Sequence, residues 1–197
     1  MHIQTFIVNL ILSIIMIVGV YQFYFLTQRH HFRPVRIFHS KIDEKIPFVA
    51  WWSWVYSFLY YPAILFLTWI VQDPAQFTLM AFSFMVLLVM QMAAFYFFPV
   101  ATPEHWRSLN KGESHSERFL LFVQKFDKAS NCFPSMHVSV AMLTALHAYP
   151  TLGSVAYLFP ILIAISCIFT KQHYLIDLPF GALLGALAYG SFLWLMH

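Results

Sequence analysis

Two histidines and an aspartate have the types and spacing of a phosphoryl-transfer site. His137 lies three residues after Pro134, and His173 precedes Asp177 by four residues. Residues four apart share one face of a helix, so Asp177 can accept a hydrogen bond from one ring nitrogen of His173 and leave the other nucleophilic. His137 belongs to another segment and is placed to act as general acid to a leaving alkoxide. The three residues predict a histidine nucleophile, a carboxylate that orients it and a separate acid–base group.

The residues around His137 predict an anion site. Pro134-Ser135 is a typical helix start, where free backbone N–H groups and the positive end of the helix dipole attract anions. We expect Ser135, Arg107, Lys111 and Lys171 to bind phosphate and to neutralise the oxygens of a transferring phosphoryl group.

Composition predicts that these residues are carried by an all-α integral membrane bundle. Hydrophobic residues make up 60% of the 197 and charged residues 10%, whereas soluble domains carry roughly 25% charged residues. Apolar runs of about 20 residues are long enough to cross the hydrocarbon core. The whole chain, 1–197, is interpreted as a single membrane domain of about six transmembrane helices. The predicted spans are 3–26, 48–71, 77–100, 134–150, 152–170 and 175–197.

Six spans place the three odd-numbered connections on one face of the membrane. These are the long polar loops 27–47 and 101–133 and the short connection before His173. The motifs within 101–181 should therefore converge at that face. Gly181 and Gly185 have the spacing that lets two helices approach closely, and we interpret them as packing within the chain.

Other conspicuous residues are assigned structural roles. The aromatic cluster of the second span, which includes Tyr56 and Tyr60, is typical of an interfacial belt. His147, near the far end of the fourth span, is interpreted as a packing residue. Cys132 and Cys167 do not form a CxxC pair, so no metal site, redox motif or cofactor is predicted.

Charge and polarity bear on the possible partners. The net charge of +3 comes from basic residues beside apolar spans, which favours a phosphate-bearing lipid in the bilayer over nucleic acid. A di-iron or zinc enzyme would need clustered histidine boxes, and the ten histidines form none. A transporter would carry polar groups at mid-membrane, whereas the polar residues of this sequence are predicted to lie at one end of the spans. Loss of phosphate release in His173→Ala would separate an enzyme from a transporter.

The motifs resemble those of the type 2 phosphatidic acid phosphatase superfamily, whose second motif reads Pro-Ser-Gly-His and whose third reads Ser-Arg-x5-His-x3-Asp. The matching residues are Pro134-Ser135-Met136-His137 and His173-Tyr174-x-x-Asp177. Met before the histidine is similar to the branch that contains the inositol phosphorylceramide synthases. The resemblance implies a magnesium-independent enzyme with a six-helix core. It also implies that His173 becomes phosphohistidine, that Asp177 orients it and that His137 is the acid–base residue.

Two positions depart from the superfamily pattern. Ser166 matches the third-motif serine, but Cys167 stands where the arginine is expected. The first motif, Lys-x6-Arg-Pro, is not present as such, and its region offers Arg107 with Lys111 beyond. The catalytic His/His/Asp core is therefore complete, while the cations that accompany it differ.

Two questions stay open at the level of sequence. A phosphohistidine is resolved by water in a lipid phosphatase and by a second alcohol in a head-group phosphotransferase, and the same residues serve both. The membrane face of the site is the other question. All eleven Lys and Arg lie in the odd-numbered connections, which predicts a cytoplasmic active face by the positive-inside rule, whereas the resembled superfamily usually works on the extracytoplasmic face.

Overall fold

The computed structural model describes residues 3–71, 73–127 and 130–196, and it is an all-α bundle, as predicted. The last position of the sixth predicted span, 197, lies outside the described residues. The helices that build the bundle are α1 (Ile3–Thr27), α3 (Trp52–Phe58), α4 (Tyr60–Ile70), α5 (Pro74–Phe97), α8 (Met136–Leu152), α9 (Leu158–Phe169) and α10 (Asp177–Met196). Three short helices lie in the loops, namely α2 (Lys41–Lys45), α6 (Glu104–Arg107) and α7 (His115–Gln124).

The outer surface of the bundle is apolar. Helix α1 has Asn9 and Thr27 as its buried residues, while large side chains such as Ile15 and Val18 are more than half exposed. A contiguous apolar surface of this extent is typical of a face that lies against lipid rather than water. Among the described residues, five stretches are long and apolar enough to cross a membrane, namely 3–27, 52–70, 74–97, 136–169 and 177–196.

The fourth stretch contains a reversal of the chain, so it supplies two antiparallel passes. Helix α8 ends at Gly153, whose φ of +58° favours glycine, and a short 3₁₀ segment (Gly153–Tyr157) leads into α9. Ile163 of α9 packs in one buried cluster with Val138 near the start of α8. The described residues therefore form six passes, in agreement with the predicted number of about six.

Several predicted boundaries shift by a few residues. The second span is interrupted at Leu59, between α3 and α4. Pro62 accounts for the break, because it has no N–H to donate to the carbonyl of Phe58 and its ring crowds that carbonyl. The third span starts at Pro74 rather than at 77, since Asp73 caps the helix by accepting hydrogen bonds from the two N–H groups of Ala75 and Gln76.

Helices α8 and α10 are in close contact, and this contact sets the site. A side-chain carbon at Gly181 would overlap the carbonyl of Ser135, and one at Gly185 would overlap the carbonyl of Ser139. The predicted role of these glycines in packing within the chain is confirmed. The Ser135 N–H also donates to the carbonyl of Asp177, at 3.0 Å, so the starts of the two helices are joined directly.

The three odd-numbered connections meet at one face, as the span count predicted. A short parallel pairing joins strand β1 (Arg36–Ile37) of the first loop to strand β2 (Val100–Ala101) at the end of α5. Tyr174 of the last connection donates from its hydroxyl to the carbonyls of Phe38 and Ala101, at 2.9 and 3.0 Å. The loops thus form a cap over the turn that carries His173.

Candidate active site

The local sequence fixes His137 in the first turn of α8. Ser135 is the N-cap, and its hydroxyl accepts a hydrogen bond from the N–H of Val138 at 3.4 Å. Gln91, fully buried on α5, donates to the carbonyl of Pro134 at 2.7 Å and accepts from Ser139 at 3.0 Å. The helix start is therefore held from two sides, and His137 follows it with little freedom.

His173 is not on a helix, which corrects the sequence interpretation. Helix α10 begins at Asp177, and His173 lies in the turn before it. The pair is still formed, because the turn brings the Asp177 carboxylate back to His173 and to the Tyr174 N–H. Asp177 Oδ2 accepts from the Tyr174 N–H at 2.8 Å and lies 3.3 Å from His173 Nδ1. The orienting carboxylate is thus itself oriented by the backbone.

The hydrogen-bond partners of His173 determine which ring nitrogen carries the proton. Nδ1 lies 2.9 Å from the carbonyl oxygen of Cys132 as well as 3.3 Å from Asp177 Oδ2. A carbonyl oxygen can accept and cannot donate, so Nδ1 is the protonated nitrogen. Nε2 therefore keeps its lone pair, which is the form a nucleophile requires. His173 is 4% exposed and Asp177 is fully buried.

The two histidines face each other across the site. His173 Nε2 lies 3.4 Å from His137 Nδ1, and the ring planes are inclined at 67°. The three predicted catalytic residues are therefore in one place, supplied by α8, the last connection and α10. The two nitrogens are at hydrogen-bonding distance, so a phosphorus atom does not fit between them until the rings separate.

Two tyrosines that the sequence analysis assigned to an interfacial belt contact His137. The Tyr60 hydroxyl donates to the backbone carbonyl of His137 at 2.6 Å. The Tyr56 hydroxyl lies 3.4 Å from His137 Nδ1, and the two rings are 4.2 Å apart. Tyr56 and Tyr60 are four residues apart, so the sequence could have indicated that they share one helix face. The span contains so many aromatic residues that this pair does not stand out.

Among the predicted phosphate-binding residues, Ser135 is the N-cap of the helix that carries His137. Its side chain is fully buried beside His137 and lies at hydrogen-bonding distance of the Cys167 thiol. The hydroxyl thus belongs to the site, although it also caps α8.

Lys171 lies two residues before His173 and is 4% exposed. Its ammonium donates to the carbonyl of Asp43 at 2.5 Å and lies 4.8 Å from the centre of the Trp106 ring. Burial lowers the pKa of this ammonium, and the carboxylates of Glu44 and Asp43 oppose the shift. In this structure Lys171 holds the first loop against the turn that carries His173.

Asp43 was not singled out from the sequence. Besides its contact with Lys171, its carboxylate accepts from the N–H of Leu175 at 2.7 Å, so it joins the first loop to the turn of His173 at two points.

Arg107 and Lys111 are not brought into contact with the histidines. Arg107 Nη2 lies 3.6 Å from a carboxylate oxygen of Asp127, and Nη1 donates to the carbonyl of Gln124. Lys111 is exposed, and no hydrogen bond or ion pair of its side chain is found within 3–71, 73–127 and 130–196. Both belong to the face of the site without lining it.

Cys167 has a position that the sequence did not reveal. Its Sγ, His137 Nδ1 and His173 Nε2 all lie within 4.8 Å of one another. The residue that replaces the expected arginine is therefore at the histidines, and the three atoms have the chemistry of metal ligands. The sequence has no histidine box, so no group of metal-ligating residues was predicted there. Tertiary structure assembles it from α8, α9 and the last connection.

The arrangement has the parts of a nucleophilic phosphoryl-transfer site. It offers an imidazole with a free Nε2, two acceptors that hold the opposite nitrogen, a second imidazole within proton-transfer reach and a helix N-terminus that attracts anions.

Comparison with known proteins agrees with this chemistry. The sequence profile of the PAP2 superfamily matches residues 5–191. No curated protein and no solved structure matches the chain. Superfamily membership supports a phosphatase-type enzyme, and the apolar helices support an integral membrane protein. Because the match covers nearly the whole chain, including both histidines and Asp177, the protein belongs to the PAP2 superfamily.

Proposed function

We propose that the protein is a membrane lipid phosphatase that hydrolyses a lipid phosphate monoester through phosphohistidine at His173. The observation that carries the proposal is the hydrogen bonding of His173. Its Nδ1 is held by the Cys132 carbonyl and Asp177, and its Nε2 is left free and directed at His137. That is the tautomer and orientation that attack on phosphorus requires.

In the first step, His173 Nε2 attacks the phosphorus and the bond from phosphorus to the lipid oxygen breaks. His137 gives a proton to the departing alkoxide. Asp177 and the Cys132 carbonyl stabilise the positive imidazole that forms, in the way that a buried carboxylate serves other histidine sites.

In the second step, water attacks the phosphohistidine while His137 accepts its proton, and inorganic phosphate and free His173 result. These steps use no metal and no cofactor.

We propose Ser135 and Lys171, with Arg107 and Lys111 at the same face, as the groups that neutralise the phosphoryl oxygens. Ser135 is already in the site, whereas Lys171 is held by Asp43 and Trp106. The rings of His137 and His173 must separate to admit phosphate, and a shift of the first loop would release Lys171 toward it.

The test is a panel of lipid phosphate monoesters and diesters with purified protein, in which released inorganic phosphate is measured. Wild-type protein should release phosphate from monoesters, and His173→Ala should release none. A trapped phosphoenzyme should survive alkali and be lost in acid, as expected for a phosphorus–nitrogen bond. Turnover in His173→Ala would contradict the proposal.

The second candidate is a lipid head-group phosphotransferase similar to inositol phosphorylceramide synthases. It is favoured by Met136 before His137 and by the His173-Tyr174 pair, in which the Tyr174 side chain is buried under the loop cap. An added alcohol acceptor distinguishes the two. A transferase forms the phosphorylated acceptor in place of inorganic phosphate, whereas a phosphatase releases phosphate with or without the alcohol.

We propose that the active face is cytoplasmic, on the strength of the basic residues of the first loop. Arg29, Arg33 and Arg36 lie outside the catalytic motifs, so a need for phosphate binding does not explain them. The native cysteines are both buried, so engineered ones can be labelled selectively. His39→Cys, at an exposed position of the first loop, should react with an impermeant thiol reagent after cell lysis, and Gln76→Cys on the opposite face should react in intact cells. The reverse pattern would place the site outside.

A further inference from the structure

Three metal-ligating atoms converge in the site although no step of the proposed reaction uses a metal. They are His137 Nδ1, His173 Nε2 and Cys167 Sγ, all within 4.8 Å of one another. Cys167 is fully buried, and His137 is half-buried. Three protein ligands with a fourth position open is the usual arrangement of a zinc site that admits water or another small ligand.

The distances suit one ion of the size of Zn²⁺. With Zn–N bonds of about 2.0–2.1 Å, two nitrogens of a tetrahedral site lie about 3.4 Å apart. The nitrogens of His137 and His173 are already separated by 3.4 Å. Zn–S bonds of about 2.3 Å require the sulfur about 3.6 Å from each nitrogen, so Cys167 Sγ needs a shift of roughly 1 Å at most. Phosphorus requires the rings to separate, whereas the ion does not.

The surroundings of His173 also match those of a metal-binding histidine. A histidine that binds metal through one nitrogen commonly donates its other N–H to a carboxylate or a carbonyl. His173 Nδ1 donates to both Asp177 and the Cys132 carbonyl. Asp177 Oδ1 is buried with no hydrogen-bond partner among the described residues, and a cation on His173 would lie one residue away from this carboxylate and favour its ionised form.

We propose that His137, His173 and Cys167 bind a thiophilic divalent cation, with Zn²⁺ as the reference ion, and that the bound ion inhibits the enzyme. Binding places the ion on the Nε2 lone pair of His173, so nucleophilic attack and metal binding exclude each other. The Cys167 thiol loses its proton to solvent as the Zn–S bond forms, and nothing is oxidised or reduced. The inhibitory part rests on the proposed function of His173, whereas the binding part does not.

Cys167 supplies the sulfur among the three candidate ligands. The third motif has an arginine at the corresponding position, and a guanidinium remains protonated and does not ligate metal. The substitution therefore exchanges a cation for a soft ligand at the same place.

Binding is measured first, without any assay of activity. Purified protein is titrated with Co²⁺, which gives a sulfur-to-metal charge-transfer absorption when a thiolate is bound. Wild-type protein should show this absorption, and Zn²⁺ should abolish it by competition. Cys167→Ser should lack it, whereas Cys132→Ser should retain it. Cys132 is a matched control, because it is also buried and its Sγ contacts the carbonyl of Gln172.

Inhibition is measured next, on whichever lipid phosphate proves to be a substrate. Zn²⁺ should inhibit the wild type and a chelator should restore full activity. Loss of a residue that only hydrogen-bonds to a metal ligand typically weakens metal binding by about 10–100-fold. Cys167→Ser removes a direct ligand, so it should raise the Zn²⁺ concentration for half-inhibition by more than that. Cys167→Ala serves as a second variant if Cys167→Ser does not fold, as judged by size-exclusion chromatography.

The outcomes separate the two proposals. A wild type without the absorption, or a Cys167 variant that keeps it, overturns the metal site. Zn²⁺ binding that leaves turnover unaffected overturns the inhibition. If the absorption appears and depends on Cys167 while no phosphate ester is hydrolysed, the metal site stands and the proposed phosphatase activity fails.

Discussion

Helix α8 carries two histidines in different surroundings, and the comparison shows why one of them is proposed to be catalytic. His137 and His147 are ten residues apart, or about 15 Å along the helix. His147 Nε2 lies 2.8 Å from the Ser83 hydroxyl, and its ring packs against Phe84, Tyr189 and Phe192. Because the Ser83 hydroxyl donates to the carbonyl of Met80, it accepts the proton on His147 Nε2, and this contact fixes the ring in its packed position.

His137 has a second titratable ring 3.4 Å away, and behind that ring lies a buried carboxylate. Both histidines are on an apolar helix and each contacts a hydroxyl. The difference is a neighbour that can exchange a proton or attack a substrate. The comparison teaches that the neighbouring groups, and not burial in the membrane, distinguish the proposed catalytic histidine from the one proposed to be structural.

The strongest test of this comparison removes the proposed nucleophile. His173→Ala should abolish turnover and phosphoenzyme formation, because no other described residue presents a free imidazole nitrogen to His137. Phosphate release and incorporation of labelled phosphate into the protein measure the two effects. Wild-type turnover in a correctly folded His173→Ala protein would contradict the proposed mechanism.

The next largest effect is expected at the reactive histidine of α8. His137→Ala should lower kcat by roughly 10²–10⁴-fold, since it removes proton transfer to the leaving group. The loss should shrink for an aryl phosphate, whose leaving group departs without a proton. An equal loss for both kinds of leaving group would show that His137 positions His173 and is not the acid.

A substitution of Lys171 tests whether the reaction rate depends on the positive charge of its ammonium. Lys171→Met should reduce the rate by about 10²–10³-fold if the ammonium neutralises the transferring phosphate. Lys125→Met is the control at an exposed position outside the proposed site and should retain wild-type activity. If Lys171→Met also retains it, Arg107 or Lys111 carries the charge, and Lys171 is confined to its contact with Asp43.

A smaller effect is expected where a hydroxyl contacts the reactive ring. Tyr56→Phe removes the hydroxyl beside His137 Nδ1 and should lower kcat by about 2–10-fold, the equivalent of one ordinary hydrogen bond. Tyr61→Phe, at a position that is 62% exposed, is the matched control. Equal activity of the two variants would limit Tyr56 to packing.

The smallest effect on activity should come from the structural histidine. His147→Ala should leave kcat within about twofold while unfolding becomes easier by roughly 0.5–3 kcal/mol, the usual range for a lost packing group. Thermal denaturation and phosphate release measure the two separately. A loss of turnover comparable to that of His137→Ala would end the distinction drawn between the two histidines.

The sequence by itself determined the membrane bundle, the six passes, the shared face of the odd connections and the close approach at Gly181 and Gly185. Long apolar runs and small residues at fixed spacing act locally, so they can be recognised without coordinates. The same holds for the start of α8, where Ser135 caps the helix as Pro134-Ser135 predicted. The prediction that His137, His173 and Asp177 form one site rested on two motifs at helix starts, and the structure brings the three residues together.

Tertiary structure decided the remaining features of the site. The turn before α10 holds His173 by a backbone carbonyl 41 residues away, and such an acceptor carries no residue-type signal. The contacts of Tyr56 with His137 and of Lys171 with Asp43 join segments distant in the chain. The same is true of Cys167, which appears in the sequence as a missing arginine. The Cys167 sulfur lies near both histidines because α9 runs antiparallel to α8. The contact joins α8, α9 and the last connection, so residue spacing within any one of these segments does not predict it.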